Sequence, residues 1–258
     1  MSETRTVNQE AGRSQSEGVA TGDPALFDTL YHCRSMRRLE PDPVPDDVVE
    51  KLIDAAIRAP SSSNGQNWHF VCVRERATKE RIAEVWRRGW DWYQETIAAA
   101  PPRPGEDIDQ RIRSRRAGSY MIDHMADIPV LIFVCVKPDE AVARALQSPS
   151  VFTAALRHFG ATGTARFLLG AVNAKATGIH ATAYPAVQNL LLAARGLGLG
   201  AVLTTPHLFT PGAYEEILGI PSGVTLTAVI PVGYPKGRFG PVSRPPVADV
   251  MSWDRYTA

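Results

Sequence analysis

Two short segments carry the side chains best suited to chemistry. The first, residues 33–39, reads Cys-Arg-Ser-Met-Arg-Arg-Leu and gathers Arg34, Arg37 and Arg38 around Ser35. Guanidinium forks and a hydroxyl suit a phosphate monoester, because charge-assisted hydrogen bonds match its oxygens. Arginines at a helix end also complement the helix dipole and face solvent, so this segment does not decide the matter alone. The second segment, residues 59–70, reads Ala-Pro-Ser-Ser-Ser-Asn-Gly-Gln-Asn-Trp-His-Phe. After Pro60, the side chains of Ser61, Ser62, Ser63 and Asn64 form a polar edge able to hydrogen-bond the rim of a planar heterocycle. The same residue types also build an ordinary helix-to-strand turn.

Other chemistries lack their signatures. The sequence holds no HExxH, no GxSxG and no GxxxxGK[ST] phosphate loop. The cluster Gly196-Leu-Gly-Leu-Gly200 follows a helix and precedes a strand, the reverse of a dinucleotide fingerprint. It reads as a helix stop, with Gly196 as the left-handed residue. Cys33, Cys72 and Cys135 are widely spaced, with no CxxC pair and no metal-ligand spacing, so no metal is expected. They read as reduced thiols of a cytoplasmic protein, Cys72 and Cys135 as small buried hydrophobes. The formal net charge of +1 gives no global pull toward nucleic acid or anionic membrane, so any anion site must be local.

The elements that must position these segments follow from periodicity and breakers. Residues 24–33 and 46–59 read as helices, 68–73 as a strand, 78–99 and 108–127 as further helices. The unbroken apolar run at 128–136 predicts a strand covered on both faces, and it is too short to span a bilayer. Residues 137–178 give no clear period. Their glycines, Gly160, Gly163 and Gly170, suggest a loop or a close approach. A helix at 184–196, a strand at 201–205, a short helix at 211–218 and a strand at 225–234 complete the body. The tail from Arg238 is expected to run extended over a partner surface. Residues 1–22 are polar, show no leader peptide, and are expected to be disordered. Hydrophobic residues make up 44% of the 258 residues, enough for a sizeable core in one domain at 23–258. Strands separated by helices place the fold in the α+β or α/β class.

The order of the blocks adds what no block carries alone. RSxRR, then PDPVP, then a helix, then APSSSNxQxW resembles the start of the nitroreductase-like flavin enzymes. The resemblance resumes at residues 184–200, at Leu203-Thr-Thr-Pro206, at Pro231-Val-Gly-Tyr-Pro235 and at Ser243-Arg244-Pro245-Pro246. Together these blocks cover about half the chain in the family's order, and the Thr-Thr-Pro and PVGYP blocks look most like the iodotyrosine deiodinase branch. The resemblance implies an α+β fold with a mixed sheet flanked by helices, in an intertwined homodimer that binds FMN. Carried over, Arg34, Ser35, Arg37 and Arg244 become phosphate and ribityl contacts. Cys33 stands where the family often has a further basic residue. Pro60, Ser61, Ser62, Ser63 and Asn64 correspond to the segment that a second subunit lays against the isoalloxazine. Leu203, Thr204 and Thr205 correspond to the donor block near the reactive flavin nitrogen. Residues 81–127 occupy the place of the substrate lid, with Trp86, Trp90, Trp92 and Tyr93 too close together to share one face. These aromatics suit either stacking of an aromatic substrate or packing in a dimer, and Arg111, Arg113, Arg115 and Arg116 read mainly as a solvated basic face. The implied activity is electron transfer from NADH or NADPH through FMN to a planar electron-poor acceptor such as a nitroaromatic or quinone. Reductive dehalogenation and flavin sequestration without turnover are the alternatives. No nucleic-acid or membrane partner is implied.

Overall fold

The computed structural model describes residues 26–140, 144–145 and 147–256, the side chains of 171–175 apart. The expected disordered tail at 1–22 and the start of the first helix lie outside them. In chain order the elements are α1 (Leu26–His32), α2 (Asp46–Ala56), β1 (Trp68–Val73), α3 (Arg76–Glu95), α4 (Ile108–Asp123), β2 (Val130–Val136), α5 (Pro149–Gly196), β3 (Gly200–Ala201), α6 (Ala213–Leu218) and β4 (Thr225–Gly233).

The strands form one sheet in the order β1-β2-β4-β3. Its three pairings are all antiparallel among the described residues, where a mixed sheet was expected. Two helices, α3 and α4, separate β1 from β2, so the chain re-enters the sheet running the opposite way. The α+β class and the flanking helices hold.

Strand β2 is buried at every residue, as its unbroken apolar run predicts. Its side chains alternate between two cores. Val130, Ile132, Val134 and Val136 join α2 and α5 through Leu52, Ala186 and Leu190. Leu131, Phe133 and Cys135 join α3, α4 and α6 through Ile82, Ile122 and Tyr214. Lys79, buried on α3, ties that helix to the approach to β2 by donating to the Ile128 carbonyl at 2.6 Å.

Four expectations change. Residues 149–178 are helical, the leading part of the 48-residue α5, rather than a loop. Gly160 makes a corner inside α5 (φ 65°, ψ −179°), a backbone state that favours glycine. Just before the corner, Phe159 packs against the second limb, where a β-carbon at Gly163 would come within 2.7 Å of it. These glycines serve packing, and in sequence they resemble breakers. The strand expected at 201–205 shrinks to Gly200–Ala201 plus a lone bridge from Thr204 to Val229. The left-handed residue after α5 is Gly198 (φ 75°), not Gly196. Cys135 is buried, whereas Cys72 on the edge strand β1 is exposed.

Candidate functional site

The basic segment is laid as an extended strip along the β3–β4 end of the sheet. Met36 N donates to the Ala201 carbonyl (3.0 Å), Glu40 N to Tyr234 (2.7 Å) and Lys236 N to Arg38 (3.0 Å). The approach is close enough that a β-carbon at Gly200 would meet Met36 Cβ at 2.9 Å and Leu39 Cδ2 at 2.8 Å. Burial of Met36 and Leu39 anchors the strip and fixes which way the arginines between them leave it.

The three arginines part company. Arg34 and Ser35 are exposed, and Arg34 stands beside Gly240 of the tail. The tail is held there by Val242 N donating to the Tyr31 carbonyl at 3.2 Å. Ser243 and Arg244 follow directly, so the N-terminal basic block and the C-terminal arginine come together on one surface. Among the described residues Arg244 Nη1 donates only to the Ser243 carbonyl, 2.8 Å away, which leaves most of its fork open. Arg38 is used elsewhere, its guanidinium 5.0 Å above the Tyr120 ring.

Arg37 turns inward, into the wall of a cavity of about 670 Å³. It has neither a carboxylate nor a hydrogen-bond acceptor among the described residues. Burial holds its guanidinium below the usual arginine range. A desolvated cation without a partner is costly, which points to an anion or acceptor that belongs in the cavity. Thr204, Thr205 and Pro206 also line this cavity. Thr204 is spent on the sheet: its N–H and hydroxyl both donate to the Val229 carbonyl, and its own carbonyl accepts from Val229 N at 2.9 Å. Thr205 keeps its amide and hydroxyl without protein partners among the described residues, so of the two threonines it is the one with donors to spare. Leu203 is exposed and does not line the cavity.

The rest of the lining comes mainly from α3, α4 and the loop between them, the segment read as a lid, together with Phe209. Trp86, Trp90, Tyr93 and Phe209 line it. Trp90 and Tyr93 stack with ring centroids 5.4 Å apart, and Phe209 lies 5.8 Å from Tyr93. Trp90 Nε1 donates to Ser119 Oγ at 3.1 Å, so the indole is fixed on α4. Of the aromatics that cannot share a face, Trp92 is the exposed one and Trp86 is buried. The arginines of α4 divide as well. Arg113 and Arg116 face solvent, whereas Arg111 and Arg115 reach inward and donate to carbonyls of residues 98–100. The solvated basic face is therefore half right. Spacing alone did not reveal the inward pair, although i, i+4 arginines share one helix face.

Pro60, Ser61, Ser62, Ser63 and Asn64 do not line this cavity. They form a largely exposed edge with an unusual backbone. Ser63, Asn64 and Gln66 hold φ of 51°, 53° and 47°, uncommon for residues with side chains. The turn is pinned by Ser62 N donating to Thr182 Oγ1 of α5 (3.1 Å) and by Gln66 N donating to Ser61 Oγ (3.1 Å).

Residues 32–234 match the family model described as the Nitroreductase family. A protein of Thermus thermophilus named NADH dehydrogenase is 30% identical over 85% of this chain and 91% of its own length. Among solved structures, an oxidized iodotyrosine deiodinase bound to FMN and 3-iodo-L-tyrosine superposes with a TM-score of 0.62 at 21% identity, over 89% of this chain and 99% of that one. An NADPH:FMN oxidoreductase of Vibrio harveyi complexed with NAD+ gives 0.57 at 18% identity, over 90% and 78%. Both structures share the fold.

Proposed function

The chain belongs to the nitroreductase family, and from that premise we propose an FMN-dependent oxidoreductase that takes electrons from NADH or NADPH and passes them to a planar electron-poor acceptor. Bound FMN would supply the chemistry, accepting hydride from the nicotinamide and returning electrons to the acceptor.

What this chain contributes is binding, charge and the exclusion of water. Arg34, Ser35 and Arg244 gather on one surface and suit a phosphate monoester. Arg37 is two residues on and inside the cavity. It suits the electron-rich edge of a flavin ring, where a buried cation favours negative charge more than it does in water. Thr205 offers a hydroxyl and an amide in the same cavity. The aromatic wall of Trp86, Trp90, Tyr93 and Phe209 keeps water off a planar ligand.

The strained polar edge at residues 60–64 serves the ring of a second subunit's flavin, which makes the working protein a homodimer. Large apolar side chains at the surface support this: Leu26, Phe27 and Tyr31 on α1, and Val250, Trp253 and Tyr256 on the tail. The expected apolar face of α1 thus lies outward, with Thr29 buried instead.

The observation that carries the reading is the half-buried guanidinium of Arg37, without a partner among the described residues, in a cavity that Thr205 also lines. The test is the absorbance of the purified protein, fluorescence of the heat-released cofactor, and NAD(P)H oxidation with a nitroaromatic or quinone. One FMN per subunit with turnover supports it. FMN without turnover means sequestration, and no FMN after reconstitution overturns the reading.

A further inference from the structure

The lining of the cavity includes an aromatic group of side chains and a cationic group. Trp86, Trp90, Tyr93 and Phe209 define the first. Arg103, Arg111 and Arg115, with Gln110 and Ser114, define the second. The carboxylates of the cavity do not neutralise it. Glu106 accepts from the Arg103 amide (2.9 Å) and pairs with Arg111 at 3.1 Å. Asp107 caps α4 by accepting from Gln110 N (2.9 Å) and pairs with Arg113, 3.6 Å away. Arg111 is further committed to the carbonyls of Ala98 and Ala100 (2.8 and 2.7 Å). That leaves Arg103 with no ion pair among the described residues. Arg115 has only the Ala98 carbonyl, which satisfies one nitrogen of its fork.

We propose that Arg103 and Arg115 select an acceptor with an anionic group, an aromatic carboxylate or sulfonate, whose ring lies against the Trp90–Tyr93 wall. The inference rests on the flavin-site reading above and deepens it. Two geometric features support it. The aromatic wall is rigid, since Trp90 is bonded to Ser119 and stacked on Tyr93, so a flat ring is accepted at little ordering cost. The cationic group lies in a concave pocket, where a charge-assisted hydrogen bond contributes more than on open surface. A neutral acceptor of the same shape leaves Arg115 without its anion and binds more weakly.

The test uses the protein as purified, with 4-nitrobenzoate against the near-isosteric neutral 4-nitrobenzyl alcohol. Affinities are read from quenching of tryptophan fluorescence, corrected for absorption by the ligand, so they do not depend on turnover. The carboxylate is expected to bind about tenfold tighter or more, the effect of one charged hydrogen bond. Arg115→Gln should remove most of that preference. Arg103→Gln, at an exposed position whose side chain makes no ion pair or hydrogen bond among the described residues, should remove part of it and cannot be dismissed as misfolding. Equal affinity for the two ligands, no binding of either, or a preference that survives both substitutions overturns the proposal. Loss confined to the KM for NADPH would assign the arginines to the electron donor and overturn it too. A protein that shows the preference but holds no FMN would sink the flavin reading and leave the ligand class standing.

Discussion

The indole of Trp90 lies directly on the backbone of Gly118: a β-carbon at position 118 would come within 2.6 Å of Cη2 and 2.9 Å of Cζ2. Gly118 is therefore what lets α4 approach α3 and set the aromatic wall. Gly118→Ala should push the indole away, break its bond to Ser119 and cost roughly 1–3 kcal/mol, the range for overpacking a tight contact. Urea denaturation measures the loss, and near-ultraviolet circular dichroism reports the displaced indole. A variant with wild-type stability and an unchanged tryptophan spectrum would show that the contact has slack.

Arg244→Ala should weaken FMN binding by one to two orders of magnitude while the chain stays folded, since a charged hydrogen bond contributes about 1.5–3 kcal/mol. Among the described residues the guanidinium of Arg244 hydrogen-bonds only the neighbouring Ser243 carbonyl, so its loss breaks no bond between distant parts of the fold. Titration of the apoprotein with FMN decides. An affinity within about twofold of wild type, well under 1 kcal/mol, takes Arg244 out of the site.

Thr182 acts at a distance. Its buried hydroxyl accepts from Ser62 N and donates to the Gly178 carbonyl at 3.0 Å. Thr182→Val keeps the shape and strips both bonds, at a cost of about 1–3 kcal/mol for the unsatisfied groups. We expect the turn at residues 60–64 to loosen and flavin affinity to fall several-fold, although residue 182 lies outside the cavity. Faster amide exchange at Gly65, whose N–H closes the turn on Ser62, would accompany it. Unchanged exchange would place the rigidity of the turn elsewhere.

His207 makes stability pH-dependent. Burial pushes its imidazole down to about 4 from a usual value near 6.5. The unfolded chain therefore takes up the proton first. The stability tied to neutral His207 is present above about pH 6.5 and is lost progressively as pH falls toward 4. Because the ring is partly exposed, the loss is on the order of 1–2 kcal/mol rather than the full shift. Melting temperatures at pH 7.5 and 5 should differ less for His207→Gln than for wild type, and an equal drop in both removes His207 as the cause.

Much of this was legible along the chain, for identifiable reasons. β1 falls at Trp68–Val73 as read, and β2 within the run at 128–136, because continuous or alternating apolar residues have no other economical arrangement. The leading half of α5 was not legible. It is largely solvent-facing, so burial imposes no period, and Gly160 and Gly163 serve a corner rather than a stop. At the site, the basic block and the order of blocks could be read, but not the separate fates of Arg34, Arg37 and Arg38. Those depend on which way a strip anchored by Met36 and Leu39 faces, a tertiary fact. The inward turn of Arg111 and Arg115 was hidden too, since both are drawn to carbonyls of residues 98–100, and carbonyls carry no sequence signal.

Strand β2 sends neighbouring residues into opposite cores, so the two halves of the molecule share one spine. Neither half can melt and leave the other intact, because opening one face strips the strand from both. Its amides should exchange with deuterium only through global opening, at a common rate on both faces. A ligand that binds the folded form lowers the population of that open state everywhere at once. Occupation of the cavity beneath α3 and α4 should then slow exchange in β2 and in Leu52 of α2, on the far side of the sheet, by the same factor.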